Sequence, residues 1–458
     1  MKGLTIRAMT KACGGSFHGS RELLDREVSS VSTDSRSIEP GALFVPIRGE
    51  KADGHDFISQ VMEKGALVTL TERAEGMPDC PYILVGKTTE AIQQIAGLYR
   101  RSLGVKVVGI TGSVGKTSTK EMIASVLSQR FRVLKTEGNL NNNLGLPLTI
   151  FRLTEEDEVA VLEMGISHFG EMTWLAETAE PDLMVITNIG ECHLEYLKDR
   201  DGVFKAKTEC FDYVKLDGTV ILNGEDDKLR QVREVHGRRP VFYGLNPGFR
   251  VYAEEVRPLE LSGSTFRLNV DEEAFDVTVP LPGSHMVLNA LAGAAVGAAM
   301  GLTAEEIRAG IEHVRTISGR INIVETGGMT VIDDAYNASP MSMRASLGIL
   351  ADAPAPRVAI LGDMGELGET ALKLHREVGR SAGALPIDRY VLAGSLAEEM
   401  AAGILEVKAD ACVRRFATCD EVIEALPSLA GPGDTVLVKA SHFMQFDRIV
   451  KALCGGAS

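Results

Sequence analysis

The sequence contains no run of about 18 apolar residues, which is the length that a membrane-spanning helix requires. Its first residues, MKGLTIRAMTKACGGSF, include no apolar signal core, so we expect neither a secretory signal nor a stable membrane anchor. The seven cysteines are odd in number and form no C-x-x-C pair, a pattern typical of unpaired thiols in a reducing compartment. These absences together predict a cytoplasmic protein.

Basic residues are also few relative to acidic ones. The chain has 48 Lys and Arg against 63 Asp and Glu, a formal net charge of −15. An acidic surface disfavours nucleic acid or an anionic membrane as the main partner, and we expect no nucleic-acid binding. A phosphate-bearing ligand stays compatible with this charge, because backbone N–H groups can bind phosphate inside an acidic protein.

Strand and helix patterns divide the 458 residues into three predicted α/β domains, as expected at roughly 150 residues per domain. Residues 1–88 form a small unit whose helix, DGHDFISQVMEKGA, has Asp53 as its predicted N-cap. Residues 89–316 contain apolar strands typical of a parallel sheet, followed at 250–280 by the pattern of an antiparallel meander. Residues 317–458 alternate strands and helices, which predicts a doubly wound parallel sheet.

The segment GITGSVGKTSTK, residues 109–120, lies between a predicted strand and a predicted helix. Gly115, Lys116 and Thr117 fit the phosphate-loop pattern G-x-x-x-x-G-K-[ST], but its first position is Ile110. Small residues before a helix N-terminus expose N–H groups to phosphates, and Lys116 would neutralise their charge. The alternative is a tight strand–helix turn that happens to carry a lysine. The predicted ATP-binding residues of this loop are Thr111, Gly112, Ser113, Val114, Gly115, Lys116, Thr117 and Ser118.

Two residues are candidates for binding Mg²⁺ beside this loop, and a lysine further along the chain has no assigned role at this point. Glu163 ends an apolar strand in VLEMGIS, where ligands of parallel sheets gather, although a solvated charge is the alternative. His193, in ITNIGECHLEYL, follows the end of the next strand and is either a ligand or a structural histidine. Lys207, in VFKAKTECF, is on its own evidence only a lysine on a helix face.

Eight ordered motifs resemble those of the Mur ligases, and the resemblance covers nearly the whole chain. The motifs are TGSVGKTSTKEM, EGNLNNNLGLPLTI, LEMGISHFGEM, TNIGECHLEYL, FKAKTE, SGRINIVE, VIDDAYNASPMSM and LGDMGELGE. Within the family, they are most similar to the ligase type that adds D-alanyl-D-alanine to UDP-N-acetylmuramoyl-tripeptide. The resemblance implies a UDP-sugar-binding domain, a central ATPase domain and a Rossmann-like C-terminal domain. It also implies ATP-driven amide formation through an acyl phosphate, with those two substrates as partners, and we expect a monomer.

The resemblance also implies roles for individual residues. Thr117 and Glu163 would hold one Mg²⁺ ion, while His193 and an N-carboxylated (carbamylated) Lys207 would hold a second. Such a carbamate turns a cation into an oxygen ligand, which suits Mg²⁺. The residues implied to contact the nucleotide are Asn289, Arg320, Asp334 and Asn337.

Two polar segments are implied to bind the UDP-muramyl peptide. In STDSRS, residues 32–37, the members Asp34, Ser35 and Arg36 would cradle the uridine diphosphate, with an ordinary polar turn as the alternative. In KTEGNLNNNLGLPLTI, four asparagines crowd together, although a turn needs only one or two. Amides both donate and accept, which suits a polar sugar and peptide, whereas a self-bonded loop is the alternative. The four are Asn139, Asn141, Asn142 and Asn143.

Some features depart from the family pattern or leave alternatives open. Many relatives read K-G-S-R where this chain has KASH, so Ala440 and His442 put a phosphate contact from an arginine there in doubt. His375, after LGDMGELGE, could line the amine site or be structural. The alternatives for the whole chain are a sister ligase that adds the third amino acid, and a P-loop regulatory protein that binds ATP without ligating. Ligases that add diaminopimelate carry a D-N-P-R signature, which is missing here.

Overall fold

The computed structural model describes residues 1–49, 52–315 and 317–455. Within these ranges the chain forms three sheets, of five, nine and six strands, each accompanied by helices. Strands of the central and C-terminal sheets are apolar along most of their length, because helices cover these parallel sheets. No helix in the described ranges is long and apolar enough to cross a membrane.

The five-stranded sheet lies in the N-terminal part of the chain, in the order β1-β5-β4-β3-β2. Strand β1 pairs antiparallel with β5, and the other pairs are parallel. Asp53 accepts a hydrogen bond from the backbone N–H of His55 at 3.0 Å, so the predicted N-cap is confirmed. The elements are α1 Ile6–Ala12, β1 Ser16–His18, β2 Val31–Ser32, β3 Leu43–Phe44, α2 Ile58–Glu63, β4 Val68–Thr71 and β5 Tyr82–Leu84.

The nine-stranded sheet has the order β14-β13-β12-β11-β10-β9-β6-β8-β7. Strands β6 to β12 pair in parallel, and β12, β13 and β14 form the predicted antiparallel meander. The elements are α3 Thr88–Ser102, β6 Lys106–Thr111, α4 Lys116–Leu127, β7 Val133–Lys135, α5 Gly145–Ile150, β8 Val159–Glu163, α6 Glu171–Ala179, β9 Leu183–Ile186, α7 Leu194–Leu197, α8 Arg200–Thr208, β10 Thr219–Asn223, β11 Val241–Gly244, β12 Val251–Pro258, β13 Ser264–Val270, β14 Glu273–Val279, α9 Ser284–Ala299 and α10 Ala304–Glu312.

The six-stranded sheet has the order β15-β16-β20-β17-β18-β19, and all its pairs are parallel except β15 with β16. This is the predicted doubly wound arrangement, with one antiparallel edge strand. The elements are β15 Asn322–Thr326, β16 Met329–Asp333, α11 Pro340–Asp352, β17 Arg357–Gly362, α12 Ala371–Gly383, β18 Arg389–Ala393, α13 Ala397–Val407, β19 Cys412–Phe416, α14 Cys419–Leu429, β20 Thr435–Lys439 and α15 Asp447–Leu453. Short 3₁₀ helices span Arg21–Leu23, Gly54–Phe57, Glu209–Tyr213, Leu229–Gln231, Glu260–Ser262, Gly368–Thr370 and His442–Met444.

The two larger sheets direct the carboxyl ends of their strands toward a shared region. Segments that follow β6 and β9 of the central sheet, and β16, β17 and β20 of the C-terminal sheet, line one cavity together. In parallel sheets, ligands bind beyond the carboxyl ends of the strands. The fold therefore places the predicted ATP-binding residues between the two domains.

Candidate functional site

The phosphate loop connects β6 to α4 and contains two glycines at positions where any other residue would be strained. Gly115 has φ 81° and lies at the N-cap of α4. Gly112 has φ 149°, and a Cβ atom there would lie 1.9 Å from Thr187 Oγ1. Lys116 begins the helix, and its Nζ donates to the Gly112 carbonyl at 2.9 Å. The loop thus has the backbone that phosphate binding at a helix N-terminus requires.

Two residues that the sequence prediction missed anchor this loop. Asn188 Oδ1 accepts from the Val114 N–H at 2.9 Å, and Asn188 Nδ2 donates to the Val114 carbonyl at 2.9 Å. Thr187 Oγ1 donates to the same carbonyl at 2.7 Å. The motif TNIG was the available signal, but only the pairing of β9 with β6 brings it beside the loop.

Thr111 differs from the rest of the predicted loop set. It is fully buried, its hydroxyl donates to the Met164 carbonyl at 2.8 Å, and it lines neither of the cavities described below. The side chain therefore holds β6 to the chain after β8, and an ATP contact through this side chain has no support from its position.

Glu163 and Lys207 each have a buried polar atom without a protein partner among the described residues. Glu163 Oε1 accepts from Thr117 Oγ1 at 3.3 Å and from Asn141 Nδ2 at 2.8 Å, whereas Oε2 has no partner. Lys207 is fully buried on α8, and its Nζ also lacks a partner. Burial lowers the pKa of Lys207 to about 8, because a low-dielectric environment disfavours the ammonium. Leaving such atoms unpaired costs about 1–3 kcal/mol each, so both positions suit a ligand.

His193 lines the same region but has its own partner. It precedes α7 with φ 53°, and its Nδ1 is in hydrogen-bond contact with Glu366 Oε2 of the C-terminal domain. The hydrogen bond from His193 lowers the pKa of Glu366. In the described ranges, no group of three or more His, Cys, Asp or Glu side chains could hold a metal. A metal here would therefore need the Thr117 hydroxyl and a modified Lys207 as additional ligands.

A cavity of about 400 Å³, called the phosphate chamber below, lies between the central and C-terminal domains. It brings together predicted residues that are far apart in sequence, and Asn337 joins them from the C-terminal side. Segment 365–367 and His442 complete the wall. The central-domain residues that line it are Ser113, Val114, Gly115, Lys116, Thr117, Glu191, Cys192 and His193.

A second cavity of about 250 Å³, the base cavity, adjoins the same loop. The predicted ATP-binding residues that line it are Val114, Gly115, Ser118, Asn289, Arg320 and Asp334. Three of them, Val114, Gly115 and Arg320, also line the phosphate chamber. Its mixture of apolar and polar walls suits a purine and a ribose. Residues that the sequence prediction did not assign also line this cavity, namely Asn188, Asn223, Tyr243, His285 and Lys439.

A buried ion pair shapes the C-terminal wall of the base cavity. Lys439 Nζ lies 2.5 Å from Asp334 Oδ2, which also accepts from Ser346 Oγ at 2.6 Å. The same ammonium donates to the Asn337 carbonyl at 2.9 Å. Burial lowers the pKa of Lys439. The pair therefore holds the turn after β16 against the end of β20, and one acceptor oxygen of Asp334 is already engaged.

The asparagine loop divides into separate roles. Asn141 reaches Glu163, as described, whereas Asn142 Oδ1 accepts from the N–H groups of residues 144 and 145 at 3.2 and 2.9 Å, at the start of α5. Asn143 Oδ1 is buried without a partner among the described residues, and Asn139 is exposed. Contact of this loop with a muramyl peptide stays a prediction. Asn143 is the asparagine whose side-chain oxygen is available to accept a hydrogen bond from such a ligand.

The predicted UDP loop lines a different cavity, an open one of about 630 Å³ in the N-terminal domain. Asp34, Ser35 and Arg36 line it, as does Phe57. Arg36 forms hydrogen bonds to Asp34 and lowers the pKa of that carboxyl to about 2. The loop is thus internally paired.

The two histidines left open by the sequence have different positions. His375 is fully buried, its Nε2 accepts from the Met364 N–H at 2.9 Å, and its Nδ1 lies 2.7 Å from the Ala371 carbonyl. Both ring nitrogens are occupied, which favours the structural alternative for His375. His442 lines the phosphate chamber, with its ring 5.5 Å from that of Tyr336.

Comparison with protein-family models gives three consecutive matches. Residues 27–108 match the Mur ligase family catalytic domain, residues 110–297 the Mur ligase middle domain, and residues 319–442 the Mur ligase glutamate ligase domain. Together they cover most of the chain, in the order of the three sheets.

Two curated relatives and two solved structures are similar over nearly the full length. The UDP-N-acetylmuramoyl-tripeptide–D-alanyl-D-alanine ligase of Bacillus subtilis is 37% identical over 433 residues, covering 93% of each chain. Its counterpart from Escherichia coli is 35% identical over 459 residues, covering 99% of each. MurF from Acinetobacter baumannii superposes with a TM-score of 0.91 at 32% identity, covering 98% of both chains.

The MurF ligase from Thermotoga maritima in complex with ADP has a TM-score of 0.83 at 28% identity, covering 93% of this chain and 97% of that one. These similarities confirm the predicted three-domain α/β fold and the resemblance found in the motifs. The chain belongs to the Mur ligase family.

Proposed function

We propose that this protein is an ATP-dependent ligase that joins D-alanyl-D-alanine to UDP-N-acetylmuramoyl-tripeptide, a step of peptidoglycan precursor synthesis. Two relatives that are 37% and 35% identical over nearly the whole length carry that activity in their names. The observation that carries the proposal is the phosphate chamber, which Lys116 of the central domain and segment 365–367 of the C-terminal domain line together. A ligase needs one enclosed space where ATP, an acid and an amine can meet.

The first step would transfer the γ-phosphoryl group of ATP to the terminal carboxylate of the tripeptide. A carboxylate oxygen attacks the γ-phosphorus, the bond to the bridging oxygen breaks, and ADP leaves an acyl phosphate behind. Two anions must approach each other in this step, so neutralising their charge is the main requirement. Lys116 begins α4 in the chamber wall, and the unpaired N–H groups of a helix N-terminus favour the binding of phosphate.

Magnesium fits the donor atoms that the chain offers. The unpartnered Glu163 Oε2 and the Thr117 hydroxyl would hold one ion. Lys207, which burial makes partly neutral near pH 8, would take up CO₂ at Nζ, lose a proton and become a carbamate that holds a second ion together with His193. Bound Mg²⁺ would supply positive charge at the phosphate oxygens.

The second step would form the amide bond. The neutral amine of D-alanyl-D-alanine attacks the carbonyl carbon, phosphate leaves, and the surplus amine proton goes to solvent or phosphate. Water in the chamber would hydrolyse the acyl phosphate instead. The C-terminal segments 365–367 and 441–443 cover the chamber and would exclude water during both steps.

Product analysis tests this proposal. The protein is incubated with ATP, with either UDP-N-acetylmuramoyl-dipeptide or UDP-N-acetylmuramoyl-tripeptide carrying lysine or diaminopimelate, and with one amine at a time: D-alanyl-D-alanine, L-lysine, diaminopimelate or D-glutamate. Phosphate release and the mass of the nucleotide product are measured together. We expect a product that is heavier by one dipeptide only with D-alanyl-D-alanine. A product from UDP-muramyl-dipeptide and a third amino acid would instead identify the sister ligase, and ATP hydrolysis without any product would overturn the ligase assignment.

A further inference from the structure

The segment that carries His193 forms two contacts with a single residue of the C-terminal domain, Glu366. Glu366 Oε2 contacts His193 Nδ1, and the Glu366 carbonyl accepts from the Glu195 N–H at 3.3 Å. An exposed ion pair alone contributes little stability, and the Glu366 side chain is about half exposed. Two bonds to the same residue nevertheless fix how the carboxylate faces the imidazole.

Both partners of this contact have an unusual backbone. His193 has φ 53° and Glu366 has φ 60°, a left-handed region that non-glycine residues seldom adopt. Such conformations cost about 1–3 kcal/mol each and cluster at functional sites. The residue before Glu366 is held within its own domain, because Ser441 Oγ accepts from the Gly365 N–H at 2.8 Å. The carboxylate is therefore presented to His193 by the C-terminal domain.

The contact determines which form of His193 faces the phosphate chamber. When Nδ1–H donates to a carboxylate, Nε2 carries the free lone pair that a metal binds. Among the described residues, His193 Nε2 has no partner. His193 lines the chamber with Lys116 and Thr117.

We propose that Glu366 is a positioning residue that orients His193 for the second metal ion, so that this metal site is complete only when the C-terminal domain is docked. The inference rests on the proposed function, in which His193 is a metal ligand. If the metal site needs the docked C-terminal domain, ATP and both metal ions come together only in a closed chamber. An acyl phosphate would then not be generated where water has free access.

Metal binding without turnover tests the proposal. Mn²⁺ is titrated by electron paramagnetic resonance into bicarbonate-equilibrated protein holding a non-hydrolysable ATP analogue, for wild type, Glu366→Ala and Glu366→Gln. We expect Glu366→Ala to bind the second ion about 10–100-fold more weakly with the first ion unchanged, and Glu366→Gln to show a smaller loss. The matched control is Glu369→Ala, an exposed residue three positions along the same segment that lines neither cavity, and it should behave as wild type.

The outcomes separate this inference from the proposed function. If wild-type protein binds only one Mn²⁺ ion, the two-metal assignment of the proposed function is wrong, and the role of Glu366 is wrong with it. If wild type binds two ions and Glu366→Ala binds both with unchanged affinity, only the role of Glu366 is overturned. If Glu366→Ala changes domain closure in small-angle X-ray scattering while both metal affinities hold, Glu366 is a structural latch and the proposal is again overturned.

Discussion

The phosphate chamber and the UDP loop are both predicted ligand sites, yet they satisfy their polar atoms in opposite ways. Glu163, which is bonded to Thr117 of the chamber wall, and Lys207 do not line the chamber themselves, and Glu163 Oε2 and Lys207 Nζ are buried without partners among the described residues. On the UDP loop, Asp34 and Arg36 are exposed and bonded to each other. The first region keeps costly unpaired atoms that ligands would satisfy, whereas the second needs no ligand to be stable. Substitutions should therefore affect chemistry and metal binding in the chamber, and only affinity in the loop.

The largest effect is expected for Lys116→Ala. Loss of the charge that faces the transferring phosphate should lower kcat by about 10²–10³-fold or more, while the melting temperature changes little. Steady-state phosphate release measures the loss, and Lys373→Ala, an exposed lysine on α12, is the matched control. Near-full activity of Lys116→Ala would contradict the ATP-binding role of the loop.

Lys207→Ala should be nearly inactive, because the proposed second metal site would lose its carbamate oxygen ligand. A short carboxylic acid such as acetate, added at high concentration, should restore part of the activity by occupying the space of the carbamate. Mass spectrometry cannot retain a labile carbamate reliably, so ¹³C NMR of wild-type protein in ¹³C-bicarbonate checks the modification. A wild-type protein that shows no carbamate signal and no dependence on bicarbonate would rule out this role.

The pKa of Lys207 also predicts a pH dependence. Carbamate forms only on the neutral amine, so the rate of reloading after CO₂ removal should fall about tenfold for each pH unit below about 8. The stability of the unmodified protein should likewise increase with pH. Because burial lowers the pKa from 10.5 to about 8, the unfolded chain binds more protons between these values, and the unmodified protein should gain stability as pH rises through that window. Thermal melts in CO₂-free buffer measure it, with Lys207→Met as the variant that should lose the dependence.

Two neighbouring asparagines allow a metal-linked contact and a purely structural contact to be compared. Asn141→Ala removes a donor from Glu163 and should raise the Mg²⁺ concentration for half-maximal activity by about 10–100-fold. Asn142→Ala is the control, since it should lower the melting temperature through loss of roughly 1 kcal/mol at the start of α5 and leave the Mg²⁺ requirement unchanged. An Asn141→Ala variant with a normal Mg²⁺ requirement would show that this contact is only structural.

Asn143 tests whether the same loop also reaches the muramyl peptide. If its buried Oδ1 accepts a hydrogen bond from the substrate, Asn143→Ala should raise the KM for UDP-N-acetylmuramoyl-tripeptide at least about fivefold, as expected for 1 kcal/mol or more. The Kd for ATP should stay within about twofold. Unchanged substrate constants with earlier melting would mean that the amide serves the fold alone.

The smallest effect is expected for Arg36→Ala in the UDP loop. Because Arg36 is exposed and an exposed ion pair contributes little, the KM for the UDP-muramyl peptide should rise less than about fivefold, with kcat unchanged. Competition by UDP, measured by calorimetry for wild type and variant, isolates this contact. If Arg36→Ala lowers kcat as much as Lys116→Ala does, the claim that the UDP loop affects only substrate affinity is wrong.

Local sequence patterns predicted the elements that form within short stretches of chain. The strand–loop–helix of β6, the phosphate loop and α4 follows from an apolar run, two glycines and a lysine. The same kind of local pattern predicted the helical segment capped by Asp53 and the antiparallel meander of β12 to β14. Thr111 shows the limit of such patterns: a motif defines which residues are contiguous, whereas packing decides which side chains line a cavity, and that of Thr111 is buried against Met164.

The sequence by itself thus determined the class of fold, the order of its three sheets and the position of the phosphate loop, because these depend on periodicity and on turns of a few residues. Only the tertiary structure decided the partners of the charged and amide groups. Asp334 meets Lys439 across 105 residues, His193 meets Glu366 across 173, and Lys207 becomes a fully buried amine only once α8 is packed. Such contacts depend on how sheets and helices pack, and no local pattern of polar residues specifies which of several possible partners a buried side chain will find.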